Sequence, residues 1–216
     1  MYYAEEDYIK LIYELAIEND VELIKTSDLS SKFGYTDQSV NEMIKKLSQK
    51  GLVTFIPYKG IKLTETGLEQ AIRMTRSHRI WEVFLTEKLG FLWQDVHEEA
   101  ERLEHATSPR LVEKLFDYLG RPTHCSHGNP IPSIKGPTQN PARLSLLSLN
   151  QNESFKLIRV LDHKELLTFL NKNQINLGDT IKVVEKMAFE DLLKIDVNDK
   201  EMIISSKVAD MLFGEM

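Results

Sequence analysis

The sequence predicts a mainly α-helical chain with a small β domain at its C-terminal end, and three observations say so. Apolar residues recur at spacings of three and four from Glu5 to Leu119. They alternate between Phe155 and Ile204, and the two patterns are separated by Gly128 to Pro141, a stretch rich in Pro, Gly, Ser and Asn. At 216 residues and 42% hydrophobic content, the chain is long enough for about two compact cores. It contains no run of about 18 apolar residues, and Met1 to Asp7 is acidic where a signal peptide would be basic and then apolar. A cytoplasmic protein that avoids membranes is expected. The net charge of -6 and pI near 5.6 exclude indiscriminate nucleic-acid binding but leave room for a local basic patch. One cysteine, Cys125, rules out an internal disulfide.

Taken in order, Glu5 to Ile17 places Tyr8, Leu11, Ile12 and Leu15 on one helical face, with Asp7 in the first turn. Thr26 to Phe33 opens on capping residues, keeps Leu29 and Phe33 inward and stops at Gly34. Thr36 caps a third helix that runs to Lys50 with Val40, Ile44 and Leu47 inward. Leu52–Ile56 and Ile61–Leu63 then read as strands around a Pro57-Tyr58-Lys59-Gly60 turn. Three helices followed by a hairpin is the winged helix-turn-helix order. Between Met43 and Thr64 there are five lysines, Lys45, Lys46, Lys50, Lys59 and Lys62, and no acid. The third helix would enter a major groove. Thr36, Gln38, Ser39 and Asn41 lie at its start, the last three facing base edges, while Lys45, Lys46, Lys50, Lys59 and Tyr58 meet phosphate. Asp37 and Glu42 suit the helix dipole but repel phosphate, so Asp37 reads as a cap.

From Thr64 a long helical pattern runs through Leu68, Ile72, Ile80 and Phe84 to Leu89, with His78 and Glu82 one turn apart. Trp93 to Thr107 and Ser108 to Leu119 are the next two helices. Their apolar faces predict a twofold homodimer that presents two recognition helices to a pseudo-palindromic duplex. Within Trp93–Thr107, at about 100° per residue, His97, Glu101, Glu104 and His105 fall inside an arc of roughly 100°. A solvated polar face is the plain reading of such a cluster taken alone. Two carboxylates and two imidazoles at this spacing are also what a divalent transition metal needs.

The motifs His78-Arg79-Ile80-Trp81-Glu82, His97 to His105, and Cys125-Ser126-His127-Gly128-Asn129-Pro130-Ile131-Pro132 occur in that order. Together they resemble the signature series of the diphtheria-toxin-repressor family of metal-dependent transcriptional regulators, over essentially the whole chain. The manganese-responsive members with a third domain are the closer likeness, because Glu101 and Asp7 stand where iron-responsive members carry cysteine and methionine. The resemblance implies one metal site from Asp7, Glu101, Glu104 and His105, and a second from Glu82, Cys125, His127 and Asp162, with His78 and His97 as extra ligands. The oxygen-rich set suits Mn2+ or Fe2+, whereas a thiolate with histidine suits Zn2+, so Zn2+ and other divalent ions are expected to substitute in vitro. Ser126 replaces the family's usual proline, and the recognition-helix segment from Tyr35 to Asn41 also lacks one.

The resemblance implies an SH3-like barrel for the C-terminal part. By residue pattern, Phe155–Leu161, Thr180–Glu185, Leu192–Val197 and Met202–Ile204 are its strands and Lys164–Asn171 is a short helix. The expected division is a DNA-binding domain over 1–70, a helical metal-binding and dimerisation domain over 71–127, a linker over 128–143 and the SH3-like domain over 144–216. The function this reading supports is a Mn2+-dependent repressor of metal-ion uptake genes. An iron-responsive repressor is the alternative within the family. A metallohydrolase or a metal buffer would leave the lysine-rich winged helix idle, and the chain has no nucleophile motif.

Overall fold

A computed structural model describes residues 3–134 and 140–216; the part of the expected linker between them lies outside the described residues. The chain forms two compact units. The first comprises Met1–Trp81, Glu101–Gly120 and Ile131–Asn140, and the second Glu82–Ala100, Arg121–Pro130 and Pro141–Met216.

The first unit begins with α1 (Tyr3–Asn19), α2 (Thr26–Phe33) and α3 (Asp37–Gln49), then the hairpin of β1 (Val53–Ile56) and β2 (Gly60–Leu63). Gly34 ends α2 with a left-handed φ of 68°, its N–H returning to the Ser30 carbonyl. The side chain of Thr36 accepts the Ser39 N–H at 3.3 Å, so Thr36 is the cap of α3 and Asp37 is its first helical residue. Ile9, Ile12, Leu29, Val40, Ile44 and Leu47 interlock beneath the hairpin as the core. Ile24 adds a bridge beside Ile61, with backbone hydrogen bonds of 2.9 and 2.8 Å. That bridge corrects the predicted turn. Gly60 belongs to β2 opposite Ile56, and a Cβ there would lie 2.7 Å from the Ile24 carbonyl, so the strand can pass only as glycine. Tyr58 takes the left-handed conformation instead, with φ of 62°.

Helix α4 (Glu65–Leu89) follows, then α5 (Val96–Ala106) and α6 (Pro109–Tyr118), the last capped by Ser108. The sequence pattern starts α5 three residues early. Trp93 lies instead in a turn closed by Asp95 N–H to the Leu92 carbonyl at 2.9 Å, with its ring against the core of the second unit.

The second unit contains the SH3-like β domain: β3 (Leu144–Ser145), β4 (Ser154–Val160), α7 (Lys164–Lys172), β5 (Thr180–Met187), β6 (Leu192–Val197), β7 (Lys200–Ser205), α8 (Ser206–Asp210) and β8 (Leu212–Glu215). Its antiparallel sheet runs β3-β8-β4-β5-β6-β7 around Phe155, Leu157, Leu167, Ile181, Ile195 and Leu212. The four strands expected from alternation are present. The elements that alternation misses, β3, α8 and β8, span two, five and four residues, too few for any period to show. Residues 128 to 132, read from composition as the opening of a linker, are instead packed. Gly128, Pro130 and Pro132 are buried, and the Cys125 N–H bonds the Asn129 carbonyl at 2.9 Å. Among the described residues no helix is long and apolar enough to cross a membrane.

Candidate metal centre and nucleic-acid interface

In the first unit α1 brings Asp7 to Glu104 and His105 of α5. Each offers a ligand atom, and the three atoms lie within 4.8 Å of one another. His105 is oriented from both sides. Its Nδ1 is 2.7 Å from Glu6 Oε2, its Nε2 is 2.9 Å from Asp7 Oδ1, and the Tyr3 ring stacks on it with centroids 4.6 Å apart. A carboxylate on one ring nitrogen fixes the tautomer and turns the other nitrogen's lone pair toward a metal. Glu6 is thus part of the site although only Asp7 was expected there; two adjacent acids on one helix turn do not say which faces the histidine.

Glu104 is buried, and both of its oxygens receive the Lys10 ammonium, at 2.9 and 2.8 Å. It also bonds His78 Nδ1, which in turn lies 3.0 Å from Lys10 Nζ. Burial pushes the Glu104 carboxyl up, but His78 and Lys10 outweigh it and hold the group ionised. For Asp7, burial leads and the charges of Glu101 and Glu104 add to it. Together they raise its pKa against the pull of His105 and Lys10. Glu101, the fourth expected ligand, therefore acts on Asp7 by charge without belonging to the group of three.

These residues fit a divalent cation on two grounds. Asp7 Oδ1 is buried with no hydrogen bond of good geometry, and like charges converge where an added positive charge would relieve them. Glu6, Glu104 and His105 also border a cavity of about 400 Å³.

In the second unit Glu82 of α4, Cys125 and His127 form another group within 4.8 Å, all three buried. His127 Nε2 lies 2.7 Å from the Trp93 carbonyl and can only donate to it, which leaves Nδ1 facing Glu82 Oε1 at 3.2 Å. Nδ1 is buried and makes no hydrogen bond of good geometry although it faces the Glu82 carboxylate, a position that fits a metal ligand. Burial pushes His127 down, but Glu82 and Cys125 raise it to about 12, so a metal entering here must displace a tightly held proton. The turn that carries Cys125 and His127 is held by Gly128 N–H to the Cys125 carbonyl at 2.9 Å and by Val160 N–H to the His127 carbonyl at 3.0 Å.

Asp162 does not join Cys125 and His127 as expected. It pairs with His97 at 2.5 Å, and the two form a further group with Glu82, beside a cavity of about 220 Å³. His97 thus leaves the arc with Glu104 and His105 that helical spacing suggested. Besides His105, the imidazole beside Glu104 in the first unit is that of His78.

On α3 and the wing, Thr36, Gln38, Ser39, Lys45, Tyr58 and Lys59 are exposed and Asn41 is half-buried. Space changes the reading of three lysines. Glu5 of α1, with a side chain 0% exposed, accepts Lys46 at 2.9 Å and Lys50 at 2.8 Å, and Lys62 bonds Glu22 at 2.6 Å. The acid-free run between Met43 and Thr64 is therefore neutralised in part by acids from elsewhere, leaving exposed Lys45 and Lys59 as its clearest candidates for phosphate contact. Burial pushes the Glu5 carboxyl up, but hydrogen bonds from Lys50 and Lys46 bring it down from 4.5 to about 2. The stabilisation is then complete above pH 4.5 and lost as pH falls through about 2. Glu5→Gln is expected to lower stability at neutral pH by about 1–2 kcal/mol, after discounting for the half-exposed lysine ends, and to flatten the acid limb of unfolding midpoint against pH. An unchanged acid limb would show that the pair stabilises nothing.

Three family models together span most of the chain. Residues 3–61 match the N-terminal DNA-binding domain of iron-dependent repressors, residues 64–133 match their metal-binding and dimerisation domain, and residues 144–216 match the FeoA domain. An uncharacterised helix-turn-helix-type transcriptional regulator of Methanocaldococcus jannaschii is 40% identical over 114 residues, which is 53% of this chain and 90% of that protein. A manganese-dependent transcriptional repressor solved in complex with manganese superposes with a TM-score of 0.89 at 29% identity, covering 98% of this chain and 99% of that one. The manganese regulator SloR superposes with a TM-score of 0.83 at 33% identity, covering 98% and 97%.

Proposed function

Because the chain belongs to the iron-dependent repressor family, the diphtheria-toxin-repressor family whose motifs its sequence carries, we propose that it is a Mn2+-responsive repressor of metal-uptake genes. It binds a pseudo-palindromic operator as a homodimer in the cytoplasm and catalyses no reaction. The observation that carries this reading is the meeting of Asp7 with Glu104 and His105, which joins a helix of the winged-helix core to α5. A bound divalent ion supplies the positive charge that lets these acidic and imidazole groups share one place. The chain's own groups do the rest: Glu6 orients His105, Lys10 and His78 hold Glu104, and α1 carries the result to α3 through their common core. Carboxylate and imidazole donors favour Mn2+ or Fe2+ at this first centre, whereas Glu82, Cys125 and His127 favour Zn2+. The similar structures, a manganese-dependent repressor in complex with manganese and a manganese regulator, support Mn2+ as the effector.

Leu111 and Tyr118 of α6 are 51% and 68% exposed and lie seven residues apart, hence on one face, which supports pairing of two copies through this region. We assign DNA binding to 1–70, metal binding and dimerisation to 71–127 and a separate SH3-like role to 144–216, with the expected linker over 128–143 shortened by the packed residues 128–132. The test is a gel-shift titration of a candidate uptake-gene promoter with Mn2+, Fe2+ and Zn2+ in turn, with Asp7→Ala beside the parent. Mn2+-dependent retardation by the parent, weakened about 100-fold or more in the variant, is the expected result. Equal retardation in chelator would end the metal-responsive reading, and a response to Fe2+ alone would move the protein to the iron-responsive alternative.

A further inference from the structure

Lys10 lies on α1 three residues after Asp7, on the same side of the helix, and is only 6% exposed. Its ammonium bonds both Glu104 oxygens, at 2.9 and 2.8 Å, and lies 3.0 Å from His78 Nδ1. A buried ammonium persists only with a partner of opposite charge, and here the partner is a carboxylate that also belongs to the Asp7–Glu104–His105 group. Lys10 therefore ties α1 to α5 without any metal, through the same acid that a metal would use.

We propose that Lys10 is a resident cation of the first centre. It holds Glu104 in its ligand position while the chain is metal-free, and its fixed charge weakens divalent-cation binding there, setting the concentration at which the centre fills. The proposal rests on the reading that Asp7, Glu104 and His105 hold a metal. Two effects of opposite sign follow when the charge is removed. The metal-free contact between α1 and α5 loosens, because the ammonium was the link. Metal binding tightens, because a positive neighbour of the ion is gone while His78 still holds Glu104.

The experiment compares the parent with Lys10→Gln and Lys10→Arg, each also carrying Cys125→Ala and His127→Ala so that the second centre is silent. Mn2+ binding is followed by calorimetry, and amide hydrogen exchange is measured on the metal-free chains. The neutral variant is expected to bind Mn2+ at least tenfold more tightly and, without metal, to exchange faster in α1 and around Glu104; Lys10→Arg keeps parental values in both. Equal or weaker Mn2+ affinity in Lys10→Gln overturns the threshold role, and unchanged exchange overturns the holding role. If Lys10→Gln does not fold, Lys10→Met is the neutral variant read against the same two outcomes. A parent titration that Asp7→Ala leaves unaltered would instead locate the failure in the metal reading, and exchange in the metal-free chains would still decide whether Lys10 holds Glu104.

Discussion

Glu104→Ala is expected to destabilise the metal-free first unit by roughly 3–5 kcal/mol, the usual cost of stripping one partner from a buried charge pair. The change leaves the Lys10 ammonium, 6% exposed, beside His78 and a void with no directly bonded carboxylate, only the charges of Glu14, Glu101 and Asp7 around it, and it removes a proposed metal ligand at the same time. Denaturant unfolding in the presence of chelator isolates the first effect. Adding Lys10→Met should restore a large part of the loss, since the penalty lies in the uncompensated charge more than in the missing bond. A single-variant cost below about 1 kcal/mol would mean that solvent reaches Lys10 readily.

Gly128→Ala is expected to be the most damaging change in the second unit. Gly128 has φ of 80°, and a Cβ there would sit 2.0 Å from the Ile158 carbonyl oxygen, a backbone atom that cannot swing aside. The strain and the displacement of β4 together are expected to cost roughly 2–4 kcal/mol. Their chemical effect falls on the turn carrying Cys125 and His127. Titration with Co2+, whose thiolate charge-transfer absorption reports Cys125, should lose that band in the variant while Mn2+ binding to the Asp7 centre is retained. A full-strength band with parental stability would show that the turn accommodates the methyl group.

Much of the fold could be read from the chain because its borders are chemically marked. Gly34 closes α2, Thr36 caps α3, Ser108 caps α6, and alternation locates the longer strands of the SH3-like domain. What escaped was either too short to show a period, such as α8 and β8, or set by contacts distant in sequence. Glu5 is buried beneath Lys46 and Lys50, more than forty positions away, so no count of charges along the chain could place it. Helical spacing gave His97 the same direction as His105, yet α5 begins only at Val96 and His97 pairs with Asp162, an acid of the second unit. Lys10 did carry a signal, a lone positive charge three residues after Asp7. Lysines are ordinarily solvated, so that signal alone does not mark Lys10 as buried.

Glu82 stands in two groups at once, with Cys125 and His127 and with His97 and Asp162. A carboxylate that turns both oxygens to one group is withdrawn from the other, so the two groups draw on a common member. Metal binding to both would therefore be linked, and an isotherm for the second unit is expected not to decompose into two independent sites.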